Sequence, residues 1–356
     1  MKWYAGQYLP RTHARPSFSE AWFHSHYGFT FGEKYHFDFV FRTEQDREAM
    51  RVLYDRFGQA GIGEKDPPPR PHLEICGHRL ISALFGCEVV YQDDQAPTCR
   101  HLPVGSAADI AAIPKPDWET NRWVLEFRRQ GSLILQRYGF TDAAINHGGP
   151  LNAASTILGN AALLYLAESP ELMGAFLDTI ADVCIESYDW LTVEFDPKAA
   201  SGREMFIGNC PVMMISPRTY CETVLPADLR LRQRVRKFGL HHCGPMDRYL
   251  GAYKRLEPIE YIEVGWGSDV AAVRKAFADS MLDLMINIYD LQNMTRLAVR
   301  ETIAGMVRQA GPISRLRDVW VADIGPEVSD AKVLDFVEAV DWGVGQMKRV
   351  GKEWSS

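Results

Sequence analysis

The densest group of side chains able to do chemistry in this 356-residue chain is His241-His242-Cys243-Gly244. It closes a short apolar run and precedes a helical pattern from about Met246. Alternate residues of a strand share a face, so His241 and Cys243 point together while His242 points away. An imidazole and a thiolate are a natural zinc-binding pair, but a catalytic zinc takes about three protein ligands and keeps one open position. A buried His and a buried Cys closing a strand are the competing reading. Other polar groups end further apolar runs: Asn146-His147-Gly148-Gly149-Pro150, Gly208-Asn209-Cys210, Gly265-Trp266-Gly267-Ser268-Asp269, and Asp323. Asn146 and His147 are candidates for orienting a substrate or relaying a proton. Asp269 is a candidate for holding a ligand histidine in one tautomer. Structural hydrogen bonds compete as the explanation of the Asn146–His147 pair. Glu74, Cys76 and His78 read as cap and core, and His24, His26 and His36, interleaved with Phe and Tyr, as a lid or an aromatic packing layer.

Groups at strand ends need a scaffold that gathers those ends. From about residue 140, strand candidates at 143–146, 204–207, 237–241, 261–264, 282–287 and 319–322 alternate with helical patterns. One helix is expected over 170–191, with Ser169 as N-cap, Pro170 at its first position and an apolar stripe of Leu172, Phe176, Ile180, Val183 and Cys184. The last is expected from about Asp330, with Val333, Phe336, Val337 and Val340 inward. Alternating strands and helices imply a parallel sheet, and polar residues recurring just after the strands favour a closed barrel. The first 120 residues read differently. Segment 17–42 is dense in aromatics and His, Thr43 and Asp46 form a capping-box pattern, and Met50, Leu53, Tyr54 and Phe57 share one helical face. Glycines at 58, 61 and 63 and prolines at 67–69 then stop the helix before a second apolar run at 80–85.

Composition narrows the function. Hydrophobic residues make up 46% and charged residues 24%, with 39 Lys+Arg against 46 Asp+Glu and a net charge of −7. That balance excludes global disorder and argues against broad nucleic-acid binding, which needs basic clusters. No apolar run reaches the ~18 residues of a membrane span, and the first residues lack a signal-peptide core. The expectation is a soluble cytoplasmic protein with no membrane or nucleic-acid partner. Seven cysteines without C-x-x-C spacing read as reduced thiols. No G-x-G-x-x-G or P-loop pattern sits at a strand–helix junction, so a nucleotide site has no support.

Several segments together carry a resemblance. His241-His242-Cys243-Gly244 matches an H-x-C-G motif, and Phe85-Gly86-Cys87-Glu88-Val89 looks like an LG-x-E-V segment. Gly148-Gly149-Pro150-Leu151 looks like a glycine-rich turn, and Ile215-Ser216-Pro217 through Val224-Leu225-Pro226 like an SP…P helix segment. The run Glu263 to Asp269 resembles the block that follows the metal motif. In order and spacing they resemble the uroporphyrinogen decarboxylase superfamily, especially its cobamide-dependent methyltransferase branch. The resemblance implies a (β/α)8 TIM barrel over 121–356, with residues 1–120 a helical and loop extension packed on it, in one structural domain. It also implies zinc held by the His and Cys of the motif and by a late Cys. No Cys follows Cys243 here; Asp323, in Val321-Ala322-Asp323-Ile324-Gly325-Pro326, stands at the late position, so the implied set is His241, Cys243 and Asp323, with Cys210 in reserve.

The implied function is a zinc-dependent methyltransferase. It would move a methyl group between a small substrate, either a methyl ether or amine donor or a thiol acceptor, and a corrinoid (methylcobalamin) carried on a partner protein. The chain has no D-x-H-x-x-G cobalamin motif of its own. A carboxylate in place of a thiolate leaves zinc a stronger Lewis acid and leans toward the methyl-donor direction. The alternatives are a decarboxylase-like lyase and a non-catalytic binding protein. The decarboxylating branch opens with an arginine-rich MRQAGRY segment, of which Tyr4-Ala5-Gly6-Gln7-Tyr8-Leu9-Pro10 keeps an echo without the arginines, and it fits poorly.

Overall fold

The computed structural model describes residues 13–143, 145–195 and 204–353; Tyr4 to Pro10 lie outside them. Eight strands follow in chain order: β1 (Ala14–Phe18), β2 (Glu88–Gln92), β3 (Gln95–Arg100), β4 (Glu204–Gly208), β5 (Lys237–His241), β6 (Tyr261–Val264), β7 (Met281–Ile286) and β8 (Leu316–Ile324). Strands β2 and β3 form a separate antiparallel pair, and the other six make one parallel sheet in the order β1-β8-β7-β6-β5-β4. Parallel strands need crossover connections, and helices provide most of them.

The closed eight-stranded barrel expected from sequence is therefore present as a six-stranded parallel sheet. Between β1 and β4 lie the segments around His72 and Asp142, joined by one isolated parallel bridge. The amide of Leu73 donates to the Asp142 carbonyl at 2.8 Å, and that of Asp142 to the Pro71 carbonyl at 3.0 Å. No strand forms at 143–146 among the described residues. Its Asn-His-Gly-Gly-Pro end puts two consecutive glycines, Gly148 and Gly149, at φ of 66° and 82°, which a ladder does not accommodate. The segment residues 1–120, expected as helices and loops, contributes β1 to the main sheet, paired in parallel with β8 from Ala14↔Val319 onward.

Strand period explains what the sheet presents. Phe238, Leu240, Ile262, Val264, Leu282, Leu284, Val319 and Val321 alternate along their strands and are buried. The positions between them carry His241, Glu263, Asp283, Asp318 and Trp320, which register alignment sets side by side. A bulge in β8 makes Arg317 an extra residue opposite Leu282–Asp283. Outside the sheet, the helices Arg296–Gln309 and Asp330–Glu353 pack on each other, as do Pro170–Ser187 and Leu225–Arg234. The expected stripes hold with one exception: Phe176, Ile180, Val183 and Cys184 are buried in one helix while Leu172 is half-buried, and Val333, Phe336, Val337 and Val340 are buried in the last. Ser169 occupies the N-cap position without a side-chain cap bond.

The first long helix starts earlier than the capping-box pattern suggests, at Phe39, because Asp38 caps it by accepting from the amides of Val40 and Phe41 at 3.1 and 3.0 Å. Thr43 turns its hydroxyl back to the Phe39 carbonyl at 2.7 Å. Met50, Leu53 and Phe57 are buried as expected, while Tyr54 is exposed. No helix among the described residues is long and apolar enough to cross a membrane.

The end of β6 packs directly on the loop after β5. A Cβ on Gly265 would lie 2.6 Å from the Gly244 nitrogen and closer still to the carbonyl oxygens of His242 and Gly244. Gly265→Ala is expected to cost about 1–3 kcal/mol through overpacking against rigid backbone. Urea unfolding measures this, and an unchanged midpoint would mean the loop has room to move.

A candidate metal centre at the strand ends

Because β4 and β5 are neighbours with Gly208 opposite His241, the residues that follow them emerge side by side. The Asn209 amide donates to the His241 carbonyl at 2.9 Å, which continues the ladder one step and delivers Cys210 beside Cys243. Behind Cys210, Asn209 is fully buried. Its side-chain amide donates to Asp228 Oδ2 at 3.0 Å, and the Tyr220 hydroxyl donates to the same oxygen at 2.7 Å. Tyr249 Oη lies 2.6 and 2.7 Å from the carbonyls of Val212 and Ile215, holding the short helix Cys210–Met214 in place.

Three donor atoms meet there. Those of Cys210, His241 and Cys243 all lie within 4.8 Å of one another, and each residue is half-buried. The two sulfurs are 2.7 Å apart, and His241 Nε2 is 2.9 Å from Cys243 Sγ. Two thiolates that close repel unless a proton or a cation sits among them. The contact with Cys243 draws Cys210 down to about 4, against its burial, with His241 helping, while the same contact pushes Cys243 up. Soft sulfur and imidazole donors, partly open to solvent, suit zinc in a catalytic rather than a closed structural site.

His241 is held from behind. Its Nδ1–H donates to Glu263 Oε2 at 2.8 Å, which turns Nε2 toward the sulfurs. Arg15 donates to the other oxygen of Glu263 at 2.7 Å and lies 4.4 Å over the Trp320 ring. Burial opposes charge on both partners. Hydrogen bonding and charge from Cys210 and Glu263 nonetheless raise His241 to about 10, and hydrogen bonding from His241 with the charge of Arg15 holds Glu263 down at about 2.

The sequence-predicted residues separate into two groups. His241 and Cys243 stand together, as expected, and Cys210 moves from reserve into the cluster. Asp323, the expected third ligand, is outside that three-atom group: it is exposed near the end of β8, with φ at 57° in the left-handed region. It remains within electrostatic reach, since His241 and Cys243 both feel its charge. The physical reason is strand order, which makes β4 the neighbour of β5 and leaves β8 three strands away. His147 is 3% exposed and hydrogen-bonds through Nε2 to Ser187 Oγ at 3.0 Å, with burial lowering it to about 4. Asn146 binds His78 Nδ1 at 2.6 Å and accepts from the Gly148 amide. Asp269 caps the helix Val270–Ala276 by accepting from the Ala272 amide, and Glu263 takes the position behind the histidine expected of it. His242 turns away and donates from Nδ1 to the Gly244 carbonyl. Sequence reading missed Glu263 and Arg15. The available signal was an acid inside the apolar run Tyr261-Ile262-Glu263-Val264, one strand after His241.

Comparison with known proteins gives the family of the chain. Residues 78–312 match the family described as uroporphyrinogen decarboxylase (URO-D). That span holds Cys210, His241, Cys243 and Glu263 but neither Arg15 nor Asp323. A search of curated proteins finds no match. Among solved structures, the chain is similar to a B12-independent methionine synthase from Shewanella sp. W3-18-1 in complex with selenomethionine. The identity is 14% and the TM-score 0.46, over 97% of this chain and 98% of that one.

Two outcomes are expected. Glu263→Gln keeps the shape but removes the charge behind His241, and should weaken zinc binding by about 10–100-fold in competition with a chelator; unchanged affinity would leave the carboxylate without that role. Burial, resisted by the Asn209 and Tyr220 hydrogen bonds, raises Asp228 from 3.8 to about 6. Between those values the folded protein holds the Asp228 proton more tightly than the unfolded chain, so this group lowers stability as pH rises through the window. Asp228→Asn, which retains an oxygen for both donors, should match wild type near pH 4 and gain up to about 3 kcal/mol above pH 6. Denaturant titration at the two pH values decides it, and an equal difference at both would remove Asp228 as the source.

Proposed function

The chain belongs to the uroporphyrinogen decarboxylase family, and on that premise we propose that it is a zinc-dependent methyltransferase exchanging a methyl group between a small substrate and a corrinoid carried on a separate protein. The carrying observation is the Cys210–His241–Cys243 cluster, backed by Glu263 and half-open to solvent. The corrinoid and its partner protein rest on the H-x-C-G resemblance.

Cys210, His241 and Cys243 would hold the metal. Zinc in that position would lower the pKa of a substrate thiol and keep it as a thiolate. Two sulfurs donate more charge than the single sulfur and carboxylate expected from sequence. That reverses the lean from sequence and favours a thiol acceptor over an ether or amine donor. Glu263 fixes the histidine tautomer, and Arg15 keeps Glu263 ionised and in place. Asp323, at the rim with its charge felt by His241 and Cys243, is suited to repel an anionic substrate group or to accept a proton there. A decarboxylase would instead turn arginines toward substrate carboxylates. Inside the sheet Arg15 pairs with Glu263, Asp283 and Asp318, and Arg317 with Asp283 and Asp318.

Metal analysis by mass spectrometry is the test. About one zinc per chain is expected in wild type, lost in Cys210→Ser, His241→Ala and Cys243→Ser and retained in Asp323→Ala. The zinc-loaded protein should then demethylate methylcobalamin with a small thiol. Zinc lost in Asp323→Ala but kept in Cys210→Ser would return the third position to Asp323, and a metal-free wild type grown with zinc would end the zinc reading.

A further inference from the structure

Cys210 and Cys243 follow neighbouring strands that bring them face to face. Gly208 pairs with His241 in the ladder of β4 and β5, the Asn209 amide continues it, and each cysteine lies two residues beyond that pair. Neighbouring strands run about 4.8 Å apart, inside the Cα separation that a disulfide spans. The two sulfurs stand 2.7 Å apart. A covalent bond would put them at about 2.05 Å. Two thiolates on one tetrahedral zinc, each about 2.3 Å from the metal, would sit about 3.7 Å apart. The pair stands between these two separations and nearer to the bond, so small side-chain rotations reach either one.

Access differs among the thiols. Cys210 and Cys243 are half-buried, which leaves a path for a molecule of peroxide size, whereas Cys76, Cys87 and Cys184 are buried. Cys99 and Cys221 are also half-buried and serve as internal comparisons. Exposure alone would oxidise all four; a sulfur already in contact with a second one is the arrangement that ends in a disulfide.

We propose that Cys210 and Cys243 are a reversible oxidation site, joined as a disulfide by small hydroperoxides, protected while they hold zinc and unable to hold it once joined. The protection by zinc rests on the zinc reading above; the disulfide itself does not. One sulfur attacks the peroxide, breaks its O–O bond and becomes a sulfenic acid. The second sulfur attacks the first, so that the S–S bond forms as the S–O bond breaks. Two thiols and one hydrogen peroxide give one disulfide and two waters. The thiol protons end in the waters, and two electrons pass from sulfur to oxygen. A dithiol reverses the step by exchange and is itself oxidised to a disulfide. Because the thiolate is the metal ligand, the oxidised pair leaves zinc only His241 of its three donors.

Hydrogen peroxide is the probe. It is added to the intact protein in two forms, zinc-loaded and stripped by dialysis against a chelator, after which free thiols are blocked and peptides mapped without reduction. In the stripped form two of the seven thiols should be lost and the peptides carrying Cys210 and Cys243 should be joined. Cys221→Ser should leave that joining unchanged, and Cys210→Ser and Cys243→Ser should each abolish it. The zinc-loaded form should oxidise at least about tenfold more slowly, releasing zinc in step with the disulfide, and dithiothreitol should restore both thiols. Sulfinic acid at either cysteine in place of the disulfide, a disulfide to another cysteine, or retention of all seven thiols would overturn the proposal. Equal rates in the two forms would overturn the protection. A wild type that binds no zinc ends the zinc reading and the protection with it, while the stripped form still decides the disulfide.

Discussion

Glu263 joins the two sides of the sheet. One oxygen accepts a hydrogen bond from His241 on the neighbouring strand, and the other accepts one from Arg15, which arrives on β1 from the far edge. Both side chains are nearly buried, so neither charge has water to fall back on. Breaking such a pair by removing one partner leaves an uncompensated buried charge, a more damaging change than losing the pair as a whole. The cluster at the strand ends therefore depends on a residue more than two hundred positions earlier in the chain.

The same layer contains Asp283 and Asp318, with Arg317 inserted by the bulge in β8. Three carboxylates face two guanidiniums, and Asp283, fully buried, is raised by burial to about 7 despite both arginines. Glu263, held ionised, is the carboxylate that faces His241, and its charge favours a cation at the cysteine end, be it the protonated imidazole or a metal. One face of the sheet carries these polar groups, and the alternate, apolar positions are buried in the hydrophobic core.

The aromatic and histidine-rich N-terminal segment is a packing layer whose rings stack around β1 and the first helices. His24 and His36 bond through Nδ1 to the carbonyls of Phe29 and Glu74, and so fix loops. The layer does not fill its own interior, and acids rather than further rings border the space that remains.

Local pattern was enough to locate β5 and β6 at their observed bounds, to place β4, β7 and β8 within a few residues, and to find the helices Pro170–Ser187 and Asp330–Glu353, though not Arg296–Gln309. Those elements are set by strand alternation and helical stripes, which depend on neighbours a few residues away. It was also enough to pair His241 with Cys243, because two residues along one strand share a face whatever the fold. Strand order decided the rest. Whether Cys210 or Asp323 stands next to that pair depends on which strand lies beside β5, and a sequence read one segment at a time contains no such information. Arg15 was beyond reach for the same reason, since only the parallel pairing of β1 with β8 brings it inside. The chain by itself specified the chemistry at one strand end; the tertiary structure, by fixing which strands are adjacent and what remains buried between them, decided which residues complete it.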